Sequence, residues 1–170
     1  MSQLNLFSDC YPPIEKDDDN IEWKLFVDGA SRKNPGQAGA GIYLLKNDVS
    51  ILKRGFFLGI KTNNQAEYLA LLIGIYYYKK MIHSHTILFI MADSELLVRQ
   101  VQGKYKVRDS KLQKLYALIK ELLQDIKYSI CHVARSQNKE ADKLANVGIN
   151  EKTHLPHELL GFLQLYDISI

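Results

Sequence analysis

Residues 23–45 read WKLFVDGASRKNPGQAGAGIYLL and contain the features that decide the fold of this chain. An apolar run rich in β-forming residues stops at Asp28 and Gly29, where a carboxylate meets a flexible backbone. Turn-forming residues follow, and the small-residue run Ala38–Gly41 then leads into a second apolar run. A carboxylate at a strand end beside small residues lets a bulky, charged group approach the backbone closely. We therefore expect the chemistry of the protein at this point of the chain.

The length and composition fit a single globular domain. The chain has 170 residues, of which 46% are hydrophobic and 24% are charged. No apolar run is long enough to cross a bilayer and no signal peptide opens the sequence, so no membrane partner is expected. The two cysteines, Cys10 and Cys131, lie far apart in the sequence and predict no disulfide framework. These features predict a cytoplasmic protein, which we expect to be a monomer.

The charges are unevenly distributed along the chain. Residues 1–22 contain six acids and one base, a net charge of −5. Because the whole chain has a net charge of +3, residues 23–170 carry a net charge of +8. We interpret residues 1–21 as a flexible acidic arm, either a plain tail or a weak competitor that folds over the basic remainder. The basic remainder hints at a polyanionic partner.

Hydrophobic patterns in the rest of the chain predict alternating strands and helices. Three strands over 22–28, 39–46 and 51–59, joined by short connections, suggest an antiparallel meander. From Asn63 the period changes to that of an amphipathic helix running to about Lys80. The further predicted elements are a buried strand over 87–92, helices over 94–102 and from 109, a strand over 127–133, and a final helix that Ser136 caps and Gly148 stops.

This order of elements predicts an α/β fold. The sheet is expected to be mixed and five-stranded, three antiparallel strands followed by two parallel ones, with helices on both faces. The domain is predicted over residues 22–148. Residues 149–170 are expected to form a C-terminal extension, a short helix packed on the domain. A partner-binding peptide is the alternative, since its apolar side chains would otherwise be exposed.

Four carboxylates stand out by their positions at strand ends and on helices. They are Asp28 at the end of the first strand, Glu67 in the first turn of the first helix, Asp93 at the end of the fourth strand and Asp142 beside the apolar face of the last helix. In open α/β sheets, sites gather at the carboxyl ends of the strands. If the two helix acids point to the same place, four negative charges share one site. Such crowding is tenable mainly if hard cations bind, and all-oxygen ligation suits Mg²⁺ or Mn²⁺.

The motifs around these acids resemble type 1 ribonuclease H in order and spacing. They are Asp28–Ser31 with Asn34–Gly36, Thr62–Tyr68, Asp93-Ser94 and Arg135–Asn146, and together they cover about residues 22–148. The resemblance implies the ribonuclease H fold and an endoribonuclease that hydrolyses the RNA strand of RNA–DNA hybrids. It also implies that the four acids are catalytic and hold two Mg²⁺ ions with the substrate, with Mn²⁺ as a substitute. In that arrangement Asp28 bridges both ions, Glu67 and Asp93 hold one, and Asp142 holds the other.

The resemblance also suggests which residues contact the hybrid. Small residues after the first acid would let the backbone approach the minor groove, and asparagines would reach 2′-hydroxyls and base edges. A threonine matches the family's phosphate pocket, with a lysine beside it, and a basic segment after the second predicted helix could face DNA phosphates. These expected substrate contacts are Gly29, Ala30, Asn34, Lys61, Thr62, Asn63, Asn64, Lys104 and Lys106, with Arg108, Lys111 and Lys114 extending the basic segment.

The chain departs from the family pattern in one loop. Many members carry a histidine before the last aspartate, whereas residues 134–139 contain none, and His132 is expected to be structural within the fifth strand. The alternative function is a non-catalytic RNA- or hybrid-binding module on the same fold. Intact acids argue against it, because a binder of polyanions gains nothing from four clustered negative charges.

Overall fold

A computed structural model of the chain describes residues 21–82 and 86–170. Residues 1–20 of the predicted acidic arm lie outside the described residues, and Ile21, assigned to the arm, instead begins the first strand. The described elements are β1 (Ile21–Arg32), β2 (Gly36–Lys46), β3 (Val49–Lys61), α1 (Asn63–Met81), β4 (Thr86–Ala92), α2 (Glu95–Val101), α3 (Ser110–Leu123), β5 (Lys127–His132), a 3-10 turn (Arg135–Gln137), α4 (Lys139–Glu151) and α5 (His157–Leu165).

The five strands form one mixed sheet in the order β3-β2-β1-β4-β5. β1, β2 and β3 are antiparallel neighbours, and β4 and β5 continue the sheet in parallel to β1. The turn between β2 and β3 uses Asn47 and Asp48, both with positive φ, which suits the twist of a tight hairpin. The predicted sheet, its mixed pairing and the helices on its two faces are confirmed.

Helix α1 covers one face of the sheet and forms the main core with it. Its start is set by a capping box, in which the Thr62 hydroxyl accepts a hydrogen bond from the Gln65 N–H and the Gln65 side chain accepts one from the Thr62 N–H. The helix lies close to β1, because a Cβ added at Gly74 would meet Leu25 side-chain atoms at 2.9 Å. This contact sets the distance between the middle of α1 and the sheet.

Helix α4 lies on the opposite face of the sheet. It packs directly on the strand backbone at positions where any residue other than glycine would place a Cβ atom against the helix. We call Gly39, Gly41 and Gly55 the glycine seat. A Cβ added at Gly41 would lie 1.9 Å from the carbonyl oxygen of Ala141 in α4, and one added at Gly55 would lie 2.0 Å from that of Leu144. The small residues of β2 therefore admit a helix at these positions, rather than the ligand that the sequence suggested.

Both predicted ends of this helix are wrong. Ser136 lies in the 3-10 turn before the helix, and Asn138 is the N-terminal flanking residue. Gly148 lies inside α4, where a Cβ would meet the Phe56 backbone at 2.5 Å, so this glycine serves packing rather than termination. The helix ends instead at Lys152, which adopts the left-handed conformation.

Helix α5, in the C-terminal extension, packs on the main core. Leu159 and Leu163 of α5 are buried in the main core, and Phe162 contacts Tyr76 of α1 with ring centroids 5.0 Å apart. The carbonyl of Thr153 accepts a hydrogen bond of 2.7 Å from the Phe57 N–H of β3. The extension is therefore a structural part of the body rather than a loose peptide.

None of the helices in the described ranges has the length and apolar character needed to span a bilayer. Cys131, near the end of β5, is disulfide-bonded. The expectation that the cysteines form no disulfide is therefore wrong at this residue.

Candidate active site

Three of the four predicted acids come together where β1 and β4 part. The parallel pairing ends at Val27 and Ala92, so the next residues, Asp28 and Asp93, leave neighbouring strands side by side. One carboxylate oxygen from each, together with one from Glu67 of α1, lies within 4.8 Å of the other two. Strand β1 does not end at Asp28 as predicted, because its pairing with β2 continues for four more residues.

Glu67 is held against β1 by its own helix. Its carboxylate accepts a 3.0 Å hydrogen bond from the Gly29 N–H. A Cβ added at Gly29 would lie 2.1 Å from the Glu67 backbone nitrogen, so the glycine after Asp28 is required for the helix to approach. Glu67 was predicted in the first turn of α1 but lies in the second turn. This position brings it level with Asp28.

Asp142 stands apart from the other three acids. It lines the same open cleft of about 600 Å³, but its side chain is one-third exposed and accepts a 3.1 Å hydrogen bond from the Arg135 guanidinium. Arg135 lies in the loop where many relatives carry a histidine, and it is largely exposed. The glycine seat fixes the height of Asp142 above the sheet, because Ala141 is the residue in contact with Gly41.

Asn138 orients the site and was not predicted. Its buried side-chain amide donates to the Val27 carbonyl at 2.9 Å and to the Asp93 carboxylate at 3.1 Å, while its own amide oxygen has no hydrogen-bond partner in the described part of the chain. The amide thereby joins the start of α4 to the ends of β1 and β4. The signal in the sequence is an asparagine directly before the helix, a position that we assigned instead to a capping Ser136.

His132 is the last residue of β5. It is exposed at the end of β5, lines the cleft, and places a ring nitrogen 3.3 Å from the backbone carbonyl oxygen of Asp93. Its position within β5 is as predicted, and its contact with the Asp93 backbone is consistent with a structural role.

Asp28 and Glu67 hold their protons more tightly than isolated carboxyls do, because their pKa values are raised. Burial, and then the charges of Asp93 and Asp142 and a hydrogen bond with Asp93, raise the pKa of Asp28 to about 8, against a smaller lowering effect of Arg135. Burial followed by the charges of Asp28 and Asp93 also raises the pKa of Glu67 well above its usual range, although the Gly29 N–H opposes this. A divalent cation bound among these oxygens would offset the repulsion between the carboxylates. The set of oxygen donors therefore fits a hard divalent metal.

The predicted substrate contacts do not all line the cleft that contains the acids. Gly29, Ala30 and Asn63 line the cleft with the acids. The Asn34 side-chain oxygen accepts a 3.0 Å hydrogen bond from the Asn63 N–H, and the neighbouring Asn64 is exposed. Lys61 lies outside the cleft, half-buried in a second pocket with Lys111 and Lys114, and Thr62 caps α1 between the two places; Lys104 and Lys106 are exposed in the loop after α2.

Known proteins share this sequence pattern and this fold. Residues 26–148 match the model of a family described as reverse transcriptase-like. Ribonuclease HI of Halobacterium salinarum is 35% identical over 128 residues, which cover 74% of this chain and 63% of the relative. The bifunctional protein Rv2228c of Mycobacterium tuberculosis is 36% identical over 123 residues, which cover 71% of this chain and 33% of the relative. The chain thus spans less than two-thirds of the length of either relative.

A solved structure gives the same picture. The crystal structure of LC11-RNase H1 in complex with an RNA/DNA hybrid matches with a TM-score of 0.71 at 30% identity, covering 76% of this chain and 97% of that one. Identity, coverage and fold agree over the region that carries the four acids. The chain therefore belongs to the ribonuclease HI-like family.

Proposed function

We propose that the protein is an endoribonuclease that hydrolyses the RNA strand of RNA–DNA hybrids. The observation that carries this proposal is the meeting of Asp28, Glu67 and Asp93 oxygens within 4.8 Å at the floor of an open cleft, with Asp142 on its wall. A module that only binds nucleic acid would be weakened by such a concentration of negative charge, so the cluster favours catalysis over the binding-module alternative.

The acids would serve as metal ligands. Asp28, Glu67 and Asp93 would hold one divalent cation, and Asp28 with Asp142 would hold a second when substrate is present. Two Mg²⁺ ions, or Mn²⁺ in their place, supply an activated water and neutralise charge at the phosphate. The Gly29 N–H and the Asn138 amide fix the carboxylates of Glu67 and Asp93 before any ligand binds. This pre-positioning lowers the cost of assembling the site.

Arg135 would adjust the second metal position. Its guanidinium already holds the Asp142 carboxylate at the rim of the cleft and is itself largely exposed. A phosphate entering the cleft offers Arg135 a second anionic partner, because a guanidinium binds phosphate and carboxylate oxygens with the same geometry. In this arrangement Arg135 steadies Asp142 until substrate arrives and then contacts the substrate phosphate.

The rest of the cleft would select the substrate. Asn63 and Ala30 line the cleft beside Glu67. Asn64 lies in the first turn of α1, and Asn34, in the turn between β1 and β2, contacts the Asn63 N–H. These asparagines would reach ribose 2′-hydroxyls and base edges of the RNA strand. The second pocket with Lys61, and the exposed Lys104 and Lys106, would contact phosphates of the DNA strand. We place the protein in the cytoplasm as a monomer, with residues 22–148 as the catalytic domain.

Strand-labelled duplexes test this function directly. We expect Mg²⁺- or Mn²⁺-dependent cleavage of RNA paired with DNA, and no comparable cleavage of RNA–RNA or DNA–DNA duplexes, because the contacts read one RNA strand. The matched control is Glu67→Gln, which keeps the shape of the side chain but removes its charge, and it should be inactive. Comparable cutting of double-stranded DNA, or an active Glu67→Gln variant, would contradict the proposal.

Asn138 is expected to act as a positioning residue. Asn138→Ala should lower the stability by about 1–2 kcal/mol, because it leaves the buried Val27 carbonyl without its donor. It should also lower kcat more than it raises KM, since Asp93 loses the amide that orients it. Thermal melting and steady-state cleavage of a labelled hybrid measure the two effects. Ser136→Ala, in the exposed 3-10 turn, is the control and should change neither; an equal response of both variants would exclude a specific role for Asn138.

A further inference from the structure

A row of side chains on β1 leads away from the acids on the α4 side of the sheet. Gly41, which lies under α4, pairs with Asp28 of β1. Gly39, also under α4, pairs with Ala30. Paired residues of antiparallel strands point to the same face of the sheet, and residues two apart in a strand share a face. Asp28, Ala30 and Arg32 therefore face α4 in a row, and Arg32 forms its exposed end.

Helix α4 runs beside this row and supplies the other wall of a groove. Its residues Asp142, Asn146 and Asn150 are four apart, which places them along one side of the helix. Asn146 lines the cleft that contains the acids, and so does Arg32. The Arg32 guanidinium donates a hydrogen bond to the side-chain oxygen of Asn150 across the groove. The α4–β1 groove is our name for the space bounded by Ala30, Arg32, Asn146 and Asn150.

Arg32 is the member of the groove that can bind an anion. It is exposed, and the partner that the structure shows for its guanidinium is the neutral amide of Asn150 rather than a carboxylate. Arg135, which lines the same cleft, is by contrast paired with Asp142. A guanidinium carries five N–H donors in a fixed fork, so one bond to an amide leaves donors for the oxygens of a phosphate.

The position of Arg32 relative to the acids indicates which anion it binds. The length of strand between Asp28 and Arg32 is about 13 Å. Phosphates of one nucleic-acid strand follow one another at about 3.4 Å along the duplex axis. A strand with one phosphate at the acids can therefore place another phosphate, a few nucleotides away, at Arg32.

We propose that the α4–β1 groove guides the RNA strand away from the acids, with Arg32 binding a backbone phosphate of that strand. Asn150 is a positioning residue in this arrangement, because its amide fixes the direction of the guanidinium. The inference rests on the proposed function, which puts the RNA strand of a hybrid at the acids.

Binding of an RNA–DNA hybrid in EDTA tests Arg32 without cleavage. Arg32→Ala should weaken binding about tenfold at low salt. It should also make the slope of log affinity against log salt concentration shallower by about one, because one phosphate contact is lost. Arg32→Lys keeps the charge, so it should keep the slope but recover only part of the affinity. A purely structural role for Arg32 would leave the slope unchanged and would overturn the proposal.

Arg54→Ala is the matched control for the loss of a positive charge. Arg54 is also exposed, but it pairs with Ile42 of β2, whose side chain lies in the main core on the α1 face of the sheet. Its removal should leave the affinity and the salt slope close to those of the wild type. Equal losses for the two arginine variants would show a general effect of net charge and would overturn the assignment of Arg32.

A double-mutant cycle tests the role of Asn150. Asn150→Ala should weaken hybrid binding about two- to threefold with an unchanged salt slope, because the guanidinium stays charged but loses the amide that fixes its direction. In the Arg32→Ala background the same substitution should have no effect. Equal weakening in both backgrounds would mean that Asn150 acts independently of Arg32, and its positioning role would be wrong.

Steady-state cleavage at one defined position identifies the strand, because the cut fixes the register of the hybrid. With Mg²⁺, Arg32→Ala should raise KM and leave kcat nearly unchanged, since the contacted phosphate is not the reacting one. Shortening the RNA strand from each end in turn, opposite a full-length DNA strand, should at one end abolish the difference between this variant and the wild type. If only shortening of the DNA strand abolishes the difference, the contact lies on that strand and the proposal is wrong.

Failure of this proposal and failure of the proposed function give different results. Normal cleavage together with equal binding by the wild type and Arg32→Ala would overturn the role of the groove and leave the nuclease function intact. Weaker binding by Arg32→Ala with the expected change of slope, but no cleavage of any hybrid, would support the phosphate contact and overturn the nuclease function.

Discussion

Asp28→Asn is expected to lower hydrolysis of the RNA strand of a hybrid by about a thousandfold or more. Asp28 occupies a central position among the acids, because the charges of both Asp93 and Asp142 raise its pKa. Asparagine keeps the shape of the side chain but removes the charge with which Asp28 would bridge two cations. Single-turnover cleavage of a labelled hybrid, with enzyme in excess, measures the loss at the chemical step.

The same variant should be more stable than the wild type without metal. Burial and the neighbouring carboxylates oppose ionisation of Asp28 in the folded state, so on folding the wild type must either bear this charge or take up a proton. Asparagine does neither, which removes this cost. Relief of about 1 kcal/mol would raise the melting temperature in EDTA by roughly 2–5 °C. With Mg²⁺ the difference in melting temperature between the variant and the wild type should narrow or reverse. The wild type gains more stability from a cation that binds only the folded site.

The difference between the two proteins should also depend on pH. The pKa of Asp28 is raised from 3.8 to about 8 in the folded protein, so between these values the folded state holds a proton that the unfolded state has released. The wild type therefore loses stability as pH rises from about 4 to about 8, and the variant does not share this loss at position 28. The advantage of Asp28→Asn in EDTA should grow across that window.

Asp125→Asn is the matched control, because Asp125 is an exposed carboxylate at the end of α3. It should change neither cleavage, nor stability in EDTA, nor the pH profile. Normal cleavage by Asp28→Asn would mean that Asp28 holds no essential cation. A lower melting temperature in EDTA would mean that the carboxylates do not repel one another as their positions indicate.

Gly41→Ala should have the largest effect on stability. The added methyl would lie 1.9 Å from the Ala141 carbonyl oxygen, which is backbone and cannot rotate away, so α4 must move off the sheet. We expect a loss of about 3 kcal/mol and a melting temperature about 6–12 °C lower. Cleavage should fall as well, because Asp142 is carried by the helix that moves. Thermal melting and hybrid cleavage at a temperature where the variant is folded measure both.

Gly161→Ala provides the comparison for this substitution. It adds the same methyl in helix α5, where nothing lies within 4 Å, and alanine is the better helix former. Its melting temperature should equal or slightly exceed that of the wild type, with unchanged cleavage. If Gly41→Ala melts like the wild type, α4 does not rest on the glycine seat as described.

Local patterns predicted the parts of the fold that depend on neighbouring residues. Apolar runs bounded by turn residues predicted the strands, and the helical period predicted α1. Asp28 and Asp93 could be located because each follows a predicted strand, and the two strands are parallel neighbours in the structure. Asp28 and Asp93 were therefore expected together before any coordinates. Glu67 followed from its place near the start of α1.

The parts that depend on contacts between distant segments could not be predicted in this way. Asn138 looks like a residue near a helix start, and only the structure brings its amide to Val27 and Asp93. Gly148 has the composition of a helix stop, yet contact with the Phe56 backbone keeps it inside α4. In both cases a long-range contact overrides the local preference of the residue.

The region shared with relatives is smaller than the unit that folds together. The family match ends at residue 148, yet Thr153 completes the hydrogen bonding of edge strand β3, and Leu159 and Leu163 fill the same core as the sheet. The homologous core and the C-terminal extension have thus become mutually dependent. A chimera that exchanged this core for that of a relative at residue 148 would leave an open strand edge on one partner and an uncovered apolar helix on the other.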